Sequence, residues 1–179
     1  GVRSIGLGDY RNTAYPAGLR WLLAGAPERY AVVDCGTNSV KLHVAERAPE
    51  GGWRAIADRA ELTRLGEGLV EGGTIAPAAL DRTIEAIRRM AGDATALGAL
   101  AVFGDGTAAF RIAANGAACA EAIERATGVR IEILPGEEEA RIAYVAVKAA
   151  LGGTDGTIAV FDTGGGSTQL TFGSSDRVD

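Results

Sequence analysis

Two short acidic turns in this chain have the residue types of a phosphate clasp. The first runs Asp34-Cys35-Gly36-Thr37-Asn38-Ser39, with Lys41 just beyond; the second runs Asp162-Thr163-Gly164-Gly165-Gly166-Ser167-Thr168. In each, a Gly stands two residues after the Asp and a Ser five residues after it. Gly allows φ > 0 and lets the backbone come close to a ligand. Turn amides that point one way form a concavity for anions, and Ser and Thr hydroxyls add uncharged donors. The candidate phosphate ligands are therefore Gly36, Thr37, Asn38, Ser39 and Lys41 in the first turn, and Gly164, Gly165, Gly166, Ser167 and Thr168 in the second. Asp34 and Asp162 cannot bind phosphate directly, because like charges repel. Either can hold Mg²⁺ or its water shell, and the metal then meets the phosphate oxygens. One such turn fits an ordinary glycine-rich hairpin equally well; two copies with matching flanks favour phosphate.

Two further clusters lie between the turns. Gly104-Asp105-Gly106-Thr107-Ala108-Ala109-Phe110-Arg111 follows an apolar run, and a loop at a strand end can reach a shared cleft. There Thr107 offers a hydroxyl and Arg111 a fork of donors matched to phosphate oxygens. Without the flanking turns, Arg111 reads as a solvated surface residue. The second cluster is Pro135-Gly136-Glu137-Glu138-Glu139-Ala140-Arg141. Its carboxylates can simply complement a helix dipole. Alternatively, one Glu faces the cleft and takes a proton from an attacking water, its pKa raised by crowding or burial. His43 is read as a strand residue, Trp21 and Trp53 as packing residues, and neither Cys35 nor Cys119 has the nearby base a nucleophile needs.

The elements that must position these groups follow from periodicity. Strands at about 30–34 and 39–46 and a third over Trp53 to Leu65 make an antiparallel meander. A helix starts at Pro77, with Leu80, Ile84, Ile87 and Ala91 on one face. Leu97 to Phe103 is an apolar run expected for a strand covered on both faces. Asn115 can cap a second helix, with Ala118, Ala122 and Ile123 inward and Gly128 closing it. Val129 to Leu134 is the next strand, and a third helix runs from Pro135-Gly136 to about Leu151 with Ile142, Val145 and Ala149 buried. The expected fold is α/β: a mixed sheet in the order β-β-β-α-β-α-β-α over residues 30–152, then the opening hairpin of a second, truncated unit over 153–179. Residues 1–29, with a short helical turn at 19–24, receive no function.

Composition sets outer limits. The chain has 179 residues, 47% hydrophobic and 23% charged, enough for one ordinary domain or a domain and part of another. A net charge of −5 speaks against nonspecific nucleic-acid binding. No apolar run reaches membrane-spanning length, and two cysteines without metal spacing fit a reducing cytoplasm.

Taken together, the two turns, Arg64-Leu65-Gly66-Glu67-Gly68, Thr107-Ala108-Ala109-Phe110-Arg111 and Gly136-Glu137-Glu138-Glu139-Ala140-Arg141 resemble the exopolyphosphatase / guanosine pentaphosphate phosphatase family of the actin-like, sugar-kinase and Hsp70 ATPase superfamily. The resemblance implies ribonuclease-H-like lobes around a phosphate-binding cleft, and Mg²⁺-dependent hydrolysis of inorganic polyphosphate or guanosine pentaphosphate. It implies Glu138 as the base, Arg111 and Asp162 beside it, Asp34 and Asp162 near the metal, and a homodimer. One departure is Ala108, where the family's motif carries a Ser. Two rivals remain at this point: an ATP-dependent kinase of the same superfold, and a lobe that binds phosphate or nucleotide without turnover.

Overall fold

The computed structural model describes residues 3–4, 27–152 and 156–174. The rest of the 1–29 segment, with the expected turn at 19–24 and Trp21, lies outside the described residues.

Alternation of apolar and polar residues builds the meander of β2 (Arg29–Cys35), β3 (Ser39–Arg47) and β4 (Trp53–Leu62). One face carries Ala31, Val33, Cys35, Val40, Leu42 and Val44, all essentially without exposure. The strands pair antiparallel, with Asp34 opposite Lys41 and His43 opposite Asp58. Strand β4 ends at Leu62, earlier than the expected Leu65. Beyond it, the N–H groups of Thr63 and Arg64 turn away and donate to the Asn38 carbonyl at 3.1 and 2.9 Å. His43 is a strand residue, as expected, paired to Asp58 at 2.5 Å. Trp53 packs edge-on to Tyr30 at 5.7 Å but is more than half exposed.

Strand β5 (Ala99–Gly106) lies parallel to β2 and places Asp105 beside Asp34. On its other side, β6 (Ile131–Ile133) and the two-residue β1 (Arg3–Ser4) also run parallel, giving one six-stranded mixed sheet. Helices α1 (Pro77–Ala96), α2 (Ala108–Ile112) and α3 (Gly116–Thr127) lie in the crossovers, and their buried residues share one core with the meander. This is the mixed α/β lobe expected from the element order.

Several facing residues differ from expectation. Helix α1 buries Ala79, Thr83, Ala86, Ile87, Met90 and Ala94, while Leu80, Ile84 and Ala91 pack at the margin. Small side chains let the helix approach closely, and the Thr83 hydroxyl is satisfied by donating to the Ala79 carbonyl at 2.9 Å. In α3, Cys119, Ala120 and Ile123 are inward and Ala118 is exposed; Gly128 closes the helix at φ 75° as expected. Asn115 does not cap α3 with its side chain. Its carboxamide instead grips Ile75, accepting from the backbone N–H at 2.8 Å and donating to the carbonyl at 3.1 Å.

Helix α4 (Gly136–Ala150) exposes Ile142, Val145 and Ala149, contrary to expectation, and buries Tyr144. Tyr144 faces the second hairpin, β7 (Ile158–Thr163) and β8 (Thr168–Gly173), where its hydroxyl donates to the Ser174 carbonyl at 3.4 Å. The Thr171 hydroxyl donates to the Ala140 carbonyl at 3.5 Å. The helix therefore covers the hairpin rather than the first sheet, and β7–β8 stands as a separate two-stranded sheet. Among the described residues, no helix is long and apolar enough to cross a membrane.

Candidate functional site

The two turns close in the same way. Gly36 N–H donates to the Ser39 carbonyl at 3.0 Å, and Gly164 N–H donates to the Ser167 carbonyl at 2.9 Å. Each Asp then sits one strand position before the turn residues, Asp34 across from Lys41 and Asp162 across from Gln169. The repeated spacing in the sequence is a repeated backbone geometry.

Close packing of small residues brings the turns together. A side chain at Gly165 would collide with the Asn38 carboxamide, and one at Gly166 would meet the Thr37 hydroxyl and the Ala108 methyl. Two loops brace the first turn from behind. Gly66 N–H donates to the Thr37 carbonyl at 2.9 Å, and Thr107 N–H donates to the Cys35 carbonyl at 3.3 Å. Thr37, Asn38, Thr107, Gly165 and Gly166 thus form one locus, with Gly36, Ser39, Gly164, Ser167 and Thr168 flanking it in the two turns. The Ser167 hydroxyl accepts from Gln169 at 2.9 Å. Ala108, where the resemblance led to expect Ser, is buried under Gly166, so its small size serves the contact between the turns.

Acidic groups line the strand ends below. Across β3, β2, β5 and β6, the register sets Lys41, Asp34, Asp105 and Glu132 in one row. Parallel neighbours in register project to the same face. Lys41 reaches Asp34 Oδ2 at 3.4 Å, while Asp34 Oδ1 is buried with no partner. Burial, then the charges of Asp34 and Glu139, push Asp105 up to about 7. The Cys35 thiol is pushed up by burial and by the same two aspartates, Asp34 and Asp105, and stays protonated, which agrees with its expected inertness. A groove of about 460 Å³ opens on this sheet face, lined by Val32, Asp34, Lys41, His43, Asp58 and Arg59 among others.

The two residues expected to act on the phosphate are held by ion pairs. Arg111 Nη1 donates to the Leu134 carbonyl at 2.9 Å and to Glu139 Oε2 at 2.6 Å. It is mostly buried, so the solvated-surface reading does not hold. Glu138 is gripped through both oxygens by Arg141, at 2.9 and 2.6 Å. Those hydrogen bonds hold the Glu138 carboxyl below the usual carboxylate range, opposite to the upward shift expected for a base in this cluster. Among the described residues, the carboxylate with the raised proton affinity is Asp105, which the sequence reading passed over. Its signal was a charged residue inside an otherwise apolar strand.

Residues 44–179 match the model of the "Ppx/GppA phosphatase family". The chain is 30% identical over 149 residues to Exopolyphosphatase 1 of Mycobacterium leprae, covering 83% of this chain and 44% of that protein. It is 32% identical over 144 residues to the guanosine-5'-triphosphate,3'-diphosphate pyrophosphatase of Photobacterium profundum, covering 80% and 29%. The solved Aquifex aeolicus PPX-GPPA enzyme superposes with a TM-score of 0.75 at 32% identity, over 85% of this chain and 50% of that one. The chain spans less than half the length of these two curated relatives.

Proposed function

The chain belongs to the Ppx/GppA phosphatase family, and on that premise we propose that it is the phosphate-gripping part of a hydrolase. Its substrate would be inorganic polyphosphate, losing terminal phosphate, or guanosine pentaphosphate, losing the 5′ γ-phosphate. The observation that carries this reading is the meeting of the two turns: Asn38 against Gly165, and Thr37 and Ala108 against Gly166. Names of relatives supply the two substrate classes.

In this reading, turn amides with Thr37, Ser39, Ser167, Thr168 and Thr107 hold consecutive phosphates, and positioning does most of the work. Lys41 and Arg111 join them by exchanging their carboxylate partners for phosphate oxygens. Glu138 takes the proton of the attacking water. A bound polyanion both raises the proton affinity of Glu138 and competes for Arg141, which removes the two hydrogen bonds that keep Glu138 a weak base. Mg²⁺ suits the all-oxygen donor set, and the orphaned Asp34 Oδ1 is an acceptor in need of a cation. Asp34 and Asp162 would hold the ion, which offsets phosphate charge when bound.

Phosphate release by the purified protein from both substrates, with Mg²⁺ and with EDTA, tests the proposal. Release from at least one, lost on chelation, is the expected result; no release from either overturns the hydrolase reading. Glu138→Ala should keep phosphate binding and lose turnover by about a hundredfold or more, the scale of a lost general base. Undiminished hydrolysis in that variant takes Glu138 out of the mechanism.

A further inference from the structure

Arg64 sits on the loop that fastens the first turn from outside. Its N–H and that of Thr63 donate to the Asn38 carbonyl, and Gly66 N–H donates to the Thr37 carbonyl, so the loop moves with the turn. Among the described residues, Arg64 is the non-glycine residue with positive φ, at 50°. Glycine would adopt that conformation without strain, and the chain does use glycine nearby, at Gly66, Gly68, Gly72 and Gly73. An arginine here carries a backbone cost that glycine would not, and its side chain is presented to solvent.

The charge around it says what that side chain does. Lys41 is bound to Asp34, Arg82 to Glu67, Arg111 to Glu139 and Arg141 to Glu138. Arg64 is exposed and makes no side-chain hydrogen bond or ion pair among the described residues. Asp34 and Asp105 stand side by side at the ends of β2 and β5, and Arg64, on the loop bonded to the first turn, is a cation without a carboxylate partner among the described residues.

We propose that Arg64 forms a distal phosphate subsite, binding a phosphate beyond the reacting one in a chain of consecutive phosphates. The inference rests on the phosphohydrolase reading above. The guanidinium fork matches phosphate oxygens through paired donors. Its loop is hydrogen-bonded to Thr37 and Asn38 of the first turn, whereas Glu138 is carried by α4.

Isothermal titration calorimetry with pyrophosphate and with long-chain polyphosphate separates the outcomes. Arg64→Ala and Arg64→Gly should weaken long-chain polyphosphate by about tenfold, the scale of one charge-assisted contact, and pyrophosphate by less than about twofold. Arg64→Lys should recover part of the loss. Arg64→Gly relieves the backbone and Arg64→Lys keeps the charge, so a folding defect in Arg64→Ala leaves two readable variants. Wild-type affinity for long-chain polyphosphate in Arg64→Gly overturns the subsite alone, and equal losses for both ligands overturn its distal placement. A wild-type protein that binds neither ligand removes the proposed function and the subsite together.

Discussion

Val33, Leu42 and Val44 of the first hairpin lie under helix α1 with no more than 1% exposure. Their counterparts in the second hairpin are Phe161, Leu170 and Phe172, which are 70%, 54% and 47% exposed. On the other face the order reverses. Val32, Lys41 and His43 stand exposed in the first hairpin, whereas Val160 and Thr171 in the second are buried. The difference is which face a helix covers: α1 packs on the inner face of β2–β3, and α4, through Tyr144, packs on the opposite face of β7–β8. Similar strand patterns thus acquire opposite burial, because alternation specifies two faces and not which of them is covered. Among the described residues, nothing covers the face of Phe161, Leu170 and Phe172.

The contrast can be broken first at the covered hairpin. Leu42→Ala should destabilise the fold by about 3 kcal/mol, within the range for a buried Leu, read as a drop in the urea midpoint. A loss under about 0.5 kcal/mol, the size of a surface substitution, would mean that the α1 face is not the core. Next comes the contact between the hairpins. Gly166→Val drives a side chain into Thr37 and Ala108, and misplacement of that kind costs about a hundredfold in turnover. Retained phosphate release with a normal melting curve would show that the turns act independently.

Asp105 sharpens the electrostatic side of the comparison, because the second hairpin has no such buried neighbour to Asp162 among the described contacts. The folded protein holds the Asp105 proton up to about 7, whereas the unfolded chain releases it near 3.8. The native state therefore binds more protons between these values, and its stability falls as pH rises through that window and levels off above it. Asp105→Asn should remove this penalty, gaining on the order of 2 kcal/mol at pH 8 in EDTA and little below pH 4. Thermal melts that show the same difference at both pH values would remove Asp105 as the titrating group. The smallest effect belongs to the bare face: Phe161→Ser should change stability by no more than about 0.5 kcal/mol. A larger loss by the same measurement would mean that Phe161 is covered in solution.

Much of the fold was legible beforehand. The twin Asp-x-Gly-x-x-Ser turns, the meander and the alternating helices and strands all follow from local patterns of apolar, glycine and turn residues. Those patterns need only neighbours within a few positions, which is why element order and the candidate turns could be read from the chain. Other features depend on groups far apart in sequence. The pairing of Arg111 with Glu139, and the proton affinity of Asp105 beside Asp34, arise only when strands and helices meet. The capture of Glu138 by Arg141 is local in sequence, yet it went unread because rotamer choice is settled by surrounding contacts and not by spacing. The sequence alone determined that two Asp-x-Gly-x-x-Ser turns exist and which strands carry them. Tertiary structure decided that they touch, which face of each is covered and which carboxylate keeps its proton, because burial and Coulomb interactions act through space and not along the chain.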